Sequence, residues 1–158
     1  GFLFMRIMLL SLKEDVYRRV ISGEKIFEHR KVFPDEPVKA YIYVSSPMKA
    51  ICGIMYLSNK TSLLDWKKKY KDDFECIKRI DKYLLNYKFG MQINRFENTN
   101  PIPLRKLRED LTKFVVPQMY YFIEDSELLK YLEKNLKPDG YIVSHTFEDI
   151  TCDMICKS

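Results

Sequence analysis

The sequence predicts a single α+β domain built as a mixed β-barrel with flanking helices. Three observations carry that prediction: short apolar segments recur along the chain, helical stripes separate them, and no regular strand–helix–strand rhythm sets up a doubly wound sheet. The chain has 158 residues, a length at which one core buries roughly two-thirds of the unfolded surface. Hydrophobic residues make up 46% and charged residues 31%, with only 5 Gly and 7 Pro, so an ordered globular structure is expected nearly throughout. No internal repeat and no long linker divides it.

Residues 3–12 form a short, almost uniformly apolar run that suits a strand buried on both faces. Ser11 and Glu14 then read as a capping box, followed by the helical stripe Val16, Val20 and Ile21 and by the helix stop Ser22-Gly23. Over residues 25–33 the period becomes two, with Phe27 and His29 on one face and Ile26, Glu28 and Arg30 on the other. Strands are expected over 40–44, ended by Ser45-Ser46-Pro47, and over 50–57, where Gly53 marks a bulge or a close backbone approach. Residues 61–70 and 73–87 carry apolar side chains at helical spacing and read as a lid or side layer. A strand over 89–96, a helix over 104–111 and a strand over 118–123 follow. Ser126 then N-caps a helix over 126–136, and a last strand covers 141–144.

The net charge is +5, from 27 Lys and Arg against 22 Asp and Glu, a mild bias whose distribution matters more than its size. Basic residues gather at Arg18, Arg19, Lys25, Arg30 and Lys31, at Lys67, Lys68, Lys69 and Lys71, and at Arg105, Lys106 and Arg108. Acids gather late, at Asp139, Glu148, Asp149 and Asp153. Lys13, Lys25 and Lys39 keep every early apolar run below the ~18 residues a membrane span needs, so no membrane partner is expected. Arg6 splits the opening apolar segment and no small-residue cleavage site follows it, which favours a first strand over a signal peptide. Cys52, Cys76, Cys152 and Cys156 include no C-x-x-C pair, and a chain of this size folds without staples; reduced thiols and a cytoplasmic location are expected. A zinc site from His145, Cys152 and Cys156 has only weak spacing behind it, and no metal or other cofactor is expected.

One segment is more specific. Gly23-Glu24-Lys25-Ile26-Phe27-Glu28-His29-Arg30 fits the pattern G-x-K-x-x-E-x-R at every fixed position. Leu9-Leu10-Ser11-Leu12-Lys13 precedes it, and Tyr41-Ile42-Tyr43-Val44-Ser45-Ser46-Pro47 follows, with Ile102-Pro103-Leu104 and Pro117-Gln118-Met119-Tyr120 further on. In these segments and their order the chain resembles ASCH (activating signal cointegrator homology) domains, over roughly residues 5–123. The resemblance implies a PUA-like barrel over residues 1–124, with 125–158 as a helix–strand extension packed on the same domain. It also implies a cleft lined by the motif's helix-to-strand turn, in a family generally inferred to bind RNA or modified nucleosides.

The residue types fit such a cleft. Gly23 allows a sharp turn that lets the Lys25 amide and ammonium point into one concavity. Glu28 and Arg30, two apart on a strand, share a face, so the carboxylate can orient the guanidinium for a bidentate phosphate contact. From spacing alone they would be a surface ion pair beside a solvated lysine. The ligand-binding set is therefore Gly23, Lys25, Glu28, Arg30, Lys31, Ser45, Gln118 and Tyr120. In it Lys31 joins Lys25 and Arg30 on phosphates, Ser45 and Gln118 read a base edge, and Tyr120, with Tyr41, Tyr43 and Tyr121 as further candidates, stacks on a base. The lysine-rich run at 67–71 could steer nucleic acid or simply be solvated. His29 is expected to pack or to sit on the rim.

The partner expected is RNA or a modified nucleoside, with a protein partner as a further option through residues 125–158, whose acidic end could also mask the cleft. Catalysis is the alternative. One branch that resembles this fold hydrolyses the amide of acetylcytidine with a lysine, a threonine and a glutamate. Lys25 matches that lysine, whereas Glu28 stands where the threonine would be. RNA cleavage through Glu28, as a metal ligand or proton carrier, is a third reading, which Arg30 weakens by neutralising the carboxylate.

Overall fold

The computed structural model describes residues 4–157; residues 1–3, where the expected first strand would begin, lie outside the described residues. In chain order the elements are β1 (Arg6–Leu12), α1 (Glu14–Ile21), β2 (Phe27–Arg30), β3 (Val38–Val44), β4 (Ala50–Ser62), α2 (Leu63–Lys69) and α3 (Phe74–Leu84). Then come β5 (Phe89–Pro103), α4 (Leu104–Asp110), β6 (Tyr120–Phe122), α5 (Glu127–Asn135), β7 (Pro138–Ser144) and α6 (Cys152–Ile155). All seven strands join one sheet in the order β2-β5-β4-β3-β1-β6, with β7 also paired to β5. β1 runs parallel to β3 and the other pairs are antiparallel. This mixed sheet curls into a half-barrel with helices around it.

The central strands are apolar on both faces, and the curl gives each face its own core. Met8, Leu10 and Leu12 of β1 pack with Val38, Ala40, Ile42, Met55, Phe96 and the Tyr17 and Val20 side chains of α1. Leu9 points the other way, to Tyr41, Tyr43, Ile51, Leu107 of α4 and Leu128 and Leu132 of α5. A third cluster joins Phe27 of β2 to Trp66 of α2, Cys76 and Ile80 of α3 and Ile155 of α6. Alternation over seven residues of β1 is thus enough to fix its register, because a one-residue slip would exchange the two cores.

β5 organises the motif end of the sheet. One flank pairs with β4 along most of its length. The other carries β2 against residues 89–92 and β7 against residues 95–99, so β2 and β7 lie end to end on the same rail. Gly53 meets both halves of its expectation: the register shifts between Ile51 and Gly53, and a Cβ there would overlap the Phe96 ring. The Ser126 hydroxyl caps α5 by accepting from the Leu129 amide at 3.0 Å.

Two expectations are corrected. The Ser11–Glu14 capping box does not form, because Ser11 lies inside β1 opposite Tyr43; Lys13 is the N-cap residue, and Glu14 instead pairs with Arg18 at 2.6 Å. The thiols are not all reduced either. Cys76 of α3 and Cys152 of α6 form a disulfide with Cα atoms 6.0 Å apart, leaving Cys52 and Cys156 free and buried. The bond takes Cys152 out of any zinc site with His145 and Cys156, and it joins residues brought together only by packing of the last helix on α3.

Candidate functional site

α1 stops where Gly23 takes φ +81°, and the Gly23 amide donates to Val20 O at 3.1 Å. The Lys25 amide closes the same turn on Arg19 O at 3.0 Å. It is therefore committed within the turn rather than offered to a ligand, and only the ammonium is left for that role. Among the described residues that ammonium has no ion pair or hydrogen bond. Burial pushes it below the ordinary lysine pKa; the Glu28 carboxylate opposes the push, and Arg19 and Arg30 add to it.

In β2, Glu28 and Arg30 meet as their spacing predicts, but inside the protein rather than on its surface. Glu28 Oε1 stands 3.3 Å from Arg30 Nε, in ion-pair range yet off the line of a hydrogen bond, and Arg30 Nη2 donates to Ser11 O at 3.1 Å. Glu28 Oε2 is buried without a partner among the described residues. His29 is buried too, edge-on to Tyr83 with ring centroids 4.6 Å apart. Desolvation, followed by the Lys25 charge, drives its pKa down to about 3 against a weaker pull from the Ile155 backbone, and neither ring nitrogen reaches hydrogen-bond geometry.

These side chains open onto two adjoining cavities. The smaller, about 250 Å³, is walled by Val16, Arg19, Lys25, Glu28 and His29 and, from the end of α3 and the loop after it, by Lys82, Tyr83, Asn86 and Tyr87. The wider, about 600 Å³, shares Val16, Arg19, Glu28, His29 and Tyr87 and continues along Arg30, Ser11, Ser45 and Gln118. The fold thus brings Lys25, Glu28, Arg30, Ser45 and Gln118 to one cleft.

The other expected site residues stand elsewhere. Gly23 shapes the turn and faces Val143 and His145. Lys31 is exposed on the bend after β2 and lines neither cavity. Tyr120 packs edge-on against Phe33 and Phe122, with centroids 5.6 and 5.8 Å away, because β6 turns it toward the core. Tyr41 and Tyr43 are buried in the second core, and the Tyr121 hydroxyl donates to Val115 O. In the lysine run, Lys67 pairs with Asp81 and Lys69 lies over the Trp66 ring, on the α2 side of the molecule.

Tyr83 and Tyr87 are the aromatic side chains of the cleft, and sequence reasoning placed them in a helix without assigning them a role. The helix expected over 73–87 would have set both on one face through their spacing of four; α3 instead ends at Leu84, so Tyr83 stands on its last turn and Tyr87 in the loop after it, and the docking of α3 decides what they face. That docking involves the chain's last segment. Tyr83 Oη donates to Lys157 O at 2.8 Å, Lys157 Nζ donates to Glu24 O at 2.5 Å, and Met154, Ile155 and Lys157 close the side of Lys25 away from the cleft.

Among solved structures, the crystal structure of ASCH from Zymomonas mobilis superposes with a TM-score of 0.63 at 20% identity, covering 84% of this chain and 97% of that one. The chain has the fold of an ASCH domain. A serine-to-alanine variant of the same Zymomonas mobilis protein gives 0.61 at 20% identity, covering 84% and 98% of the two chains. A tyrosine-to-phenylalanine variant gives 0.58 at 20% identity, covering 82% and 98%. No family model and no curated protein matches the sequence. The ASCH fold is a PUA-like α+β architecture, and in this example its motif strand β2 ends the sheet, so the cleft wraps around a free strand edge. No helix among the described residues is long and apolar enough to cross a membrane.

Proposed function

We propose that the chain binds RNA or a modified nucleoside in the cleft at its G-x-K-x-x-E-x-R motif. The observation that carries this reading is the mix of groups in one place: the Lys25 ammonium and a Glu28 oxygen, both without a partner among the described residues, with Arg19, Arg30 and the Tyr87 ring. Cations contact phosphate, a ring stacks on a base, and polar atoms read its edge. A Lys25→Ala, Arg30→Ala double variant should bind single-stranded RNA at least about tenfold more weakly in anisotropy titrations, with a shallower salt dependence. Lys25→Gln alone, which leaves the Glu28–Arg30 pair intact, should give part of that loss in a protein of unchanged melting temperature. Unchanged affinity in both variants would overturn the assignment.

The desolvated lysine also favours a second reading, hydrolysis of an acetylated cytidine, since a lysine with a lowered pKa serves as base or nucleophile. Release of cytidine from acetylcytidine by the parent but not by Lys25→Arg, which keeps the charge without a deprotonatable amine, would support it. Equal background in both proteins would exclude that reaction.

A further inference from the structure

We infer that the cleft continues into a second, basic groove beside α4, and that the ligand is a single RNA strand several nucleotides long whose backbone crosses the turn between β3 and β4 to reach Lys49, Arg105 and Arg108. The inference rests on the nucleic-acid reading above and adds the path of the strand beyond the motif.

The groove has a volume of about 600 Å³ and lies between residues 47–49 and residues 103–109. Two hydrogen bonds show that it adjoins the cleft. The Lys49 amide donates at 3.5 Å to the carbonyl of Ser45, a residue of the cleft wall, and the Leu104 amide donates at 2.9 Å to the Lys49 carbonyl. One short turn therefore separates the two spaces, and a strand lying along Arg30, Ser45 and Gln118 meets Lys49 next.

α4 aims its cations at the groove. Leu104, Leu107 and Leu111 turn inward to the second core, which leaves Arg105 and Arg108, three residues apart, on the exposed side of the helix. Lys49 and Arg108 have no ion pair among the described residues, and Arg105, 85% exposed, only reaches Glu109 at 4.0 Å, a contact that solvent keeps weak. Three cations thus face the single carboxylate of Glu109, and a guanidinium fork matches the oxygens of a phosphate. Between them Pro47, Met48 and Pro103 supply an apolar floor. Apolar surface beside cations suits a nucleotide, whose base and phosphate are then met together. An acidic peptide would answer the charges, but nothing would lead it on from the motif cleft.

The test measures anisotropy of a labelled RNA trimer and decamer of mixed sequence with the full chain at several salt concentrations. The parent should bind the decamer about fiftyfold more tightly than the trimer, well beyond the roughly eightfold that its extra registers give. Arg105→Ala, Arg108→Ala should cost the decamer about tenfold, leave the trimer within about twofold, and lower the decamer's salt slope by about 1.4, as two lost contacts to a single strand require. Lys68→Ala, Lys71→Ala removes equal charge from the α2 side and should change neither oligomer. All four side chains are exposed, so both variants should melt with the parent. Decamer affinity unchanged in the Arg105, Arg108 variant would overturn the inference and leave the groove to an acidic protein segment. A loss shared equally by the trimer or by the Lys68, Lys71 variant would overturn it too, as an effect of net charge. In either case the RNA reading stands if Lys25→Ala, Arg30→Ala weakens the decamer. Absence of binding to the decamer by the parent would overturn both. If the trimer binds too weakly to measure, the two double variants decide on the decamer.

Discussion

His29 shows how far the motif departs from a solvated strand. Its imidazole is held neutral at a pKa of about 3 against an ordinary 6.5, so below pH 6.5 the unfolded chain binds a proton that the folded one refuses. The stability this neutral ring contributes is complete above pH 6.5 and is lost as the pH falls toward 3, by at most about 1.4 kcal/mol per pH unit. His29→Phe keeps a ring against Tyr83 and should flatten that acid limb: urea unfolding at neutral pH and near pH 4 should show a smaller loss in the variant. Equal losses would place the acid sensitivity elsewhere. The period-two pattern separated His29 from Glu28, and the chain does alternate there. Both reach the cleft because β2 has no neighbour on its outer side, a fact of sheet order that no local pattern contains.

At the scale of elements, the sequence was legible wherever one segment decides its own structure. β1, β3, α1, α3 and α5 follow from runs, stripes and the Ser126 cap. What escaped needed partners: the stretch of β5 beyond Phe96, around Asn98, extends only because β4 and β7 pair with it, and α6 forms only against α2 and α3. The same holds for the disulfide, whose cysteines are 76 positions apart. Closing a loop of that length should contribute about 2–4 kcal/mol. Alkylation of the unfolded protein without reductant should label Cys52 and Cys156 alone, and with reductant all four cysteines; dithiothreitol should lower the melting temperature of the parent but not of a Cys76→Ser, Cys152→Ser variant. Full labelling without reductant would show that the bond is absent.

For the molecule as a whole, the last segment is a wall of the motif rather than an acidic mask over it. Asp139 is bound to Asn98 and to the Tyr141 amide, Asp153 caps back on Thr151, and the group nearest the turn is Lys157 on Glu24 O. Removing residues 146–158, which leaves β7 in place, should red-shift the emission of Trp66, now 7% exposed, and should lower RNA affinity by freeing Tyr83. A rise in affinity would restore the masking idea. The cleft was legible as a motif but not as a space, since α1, β2, α3 and the tail assemble it from distant parts of the chain. The position of β1 has a consequence for biosynthesis. It lies between β3 and β6, paired on one side with residues 38–44 and on the other with 120–122. During translation its outer edge stays an unfilled template until residue 122 has been made, so neighbouring nascent chains have their opportunity to pair with it before the protein is complete.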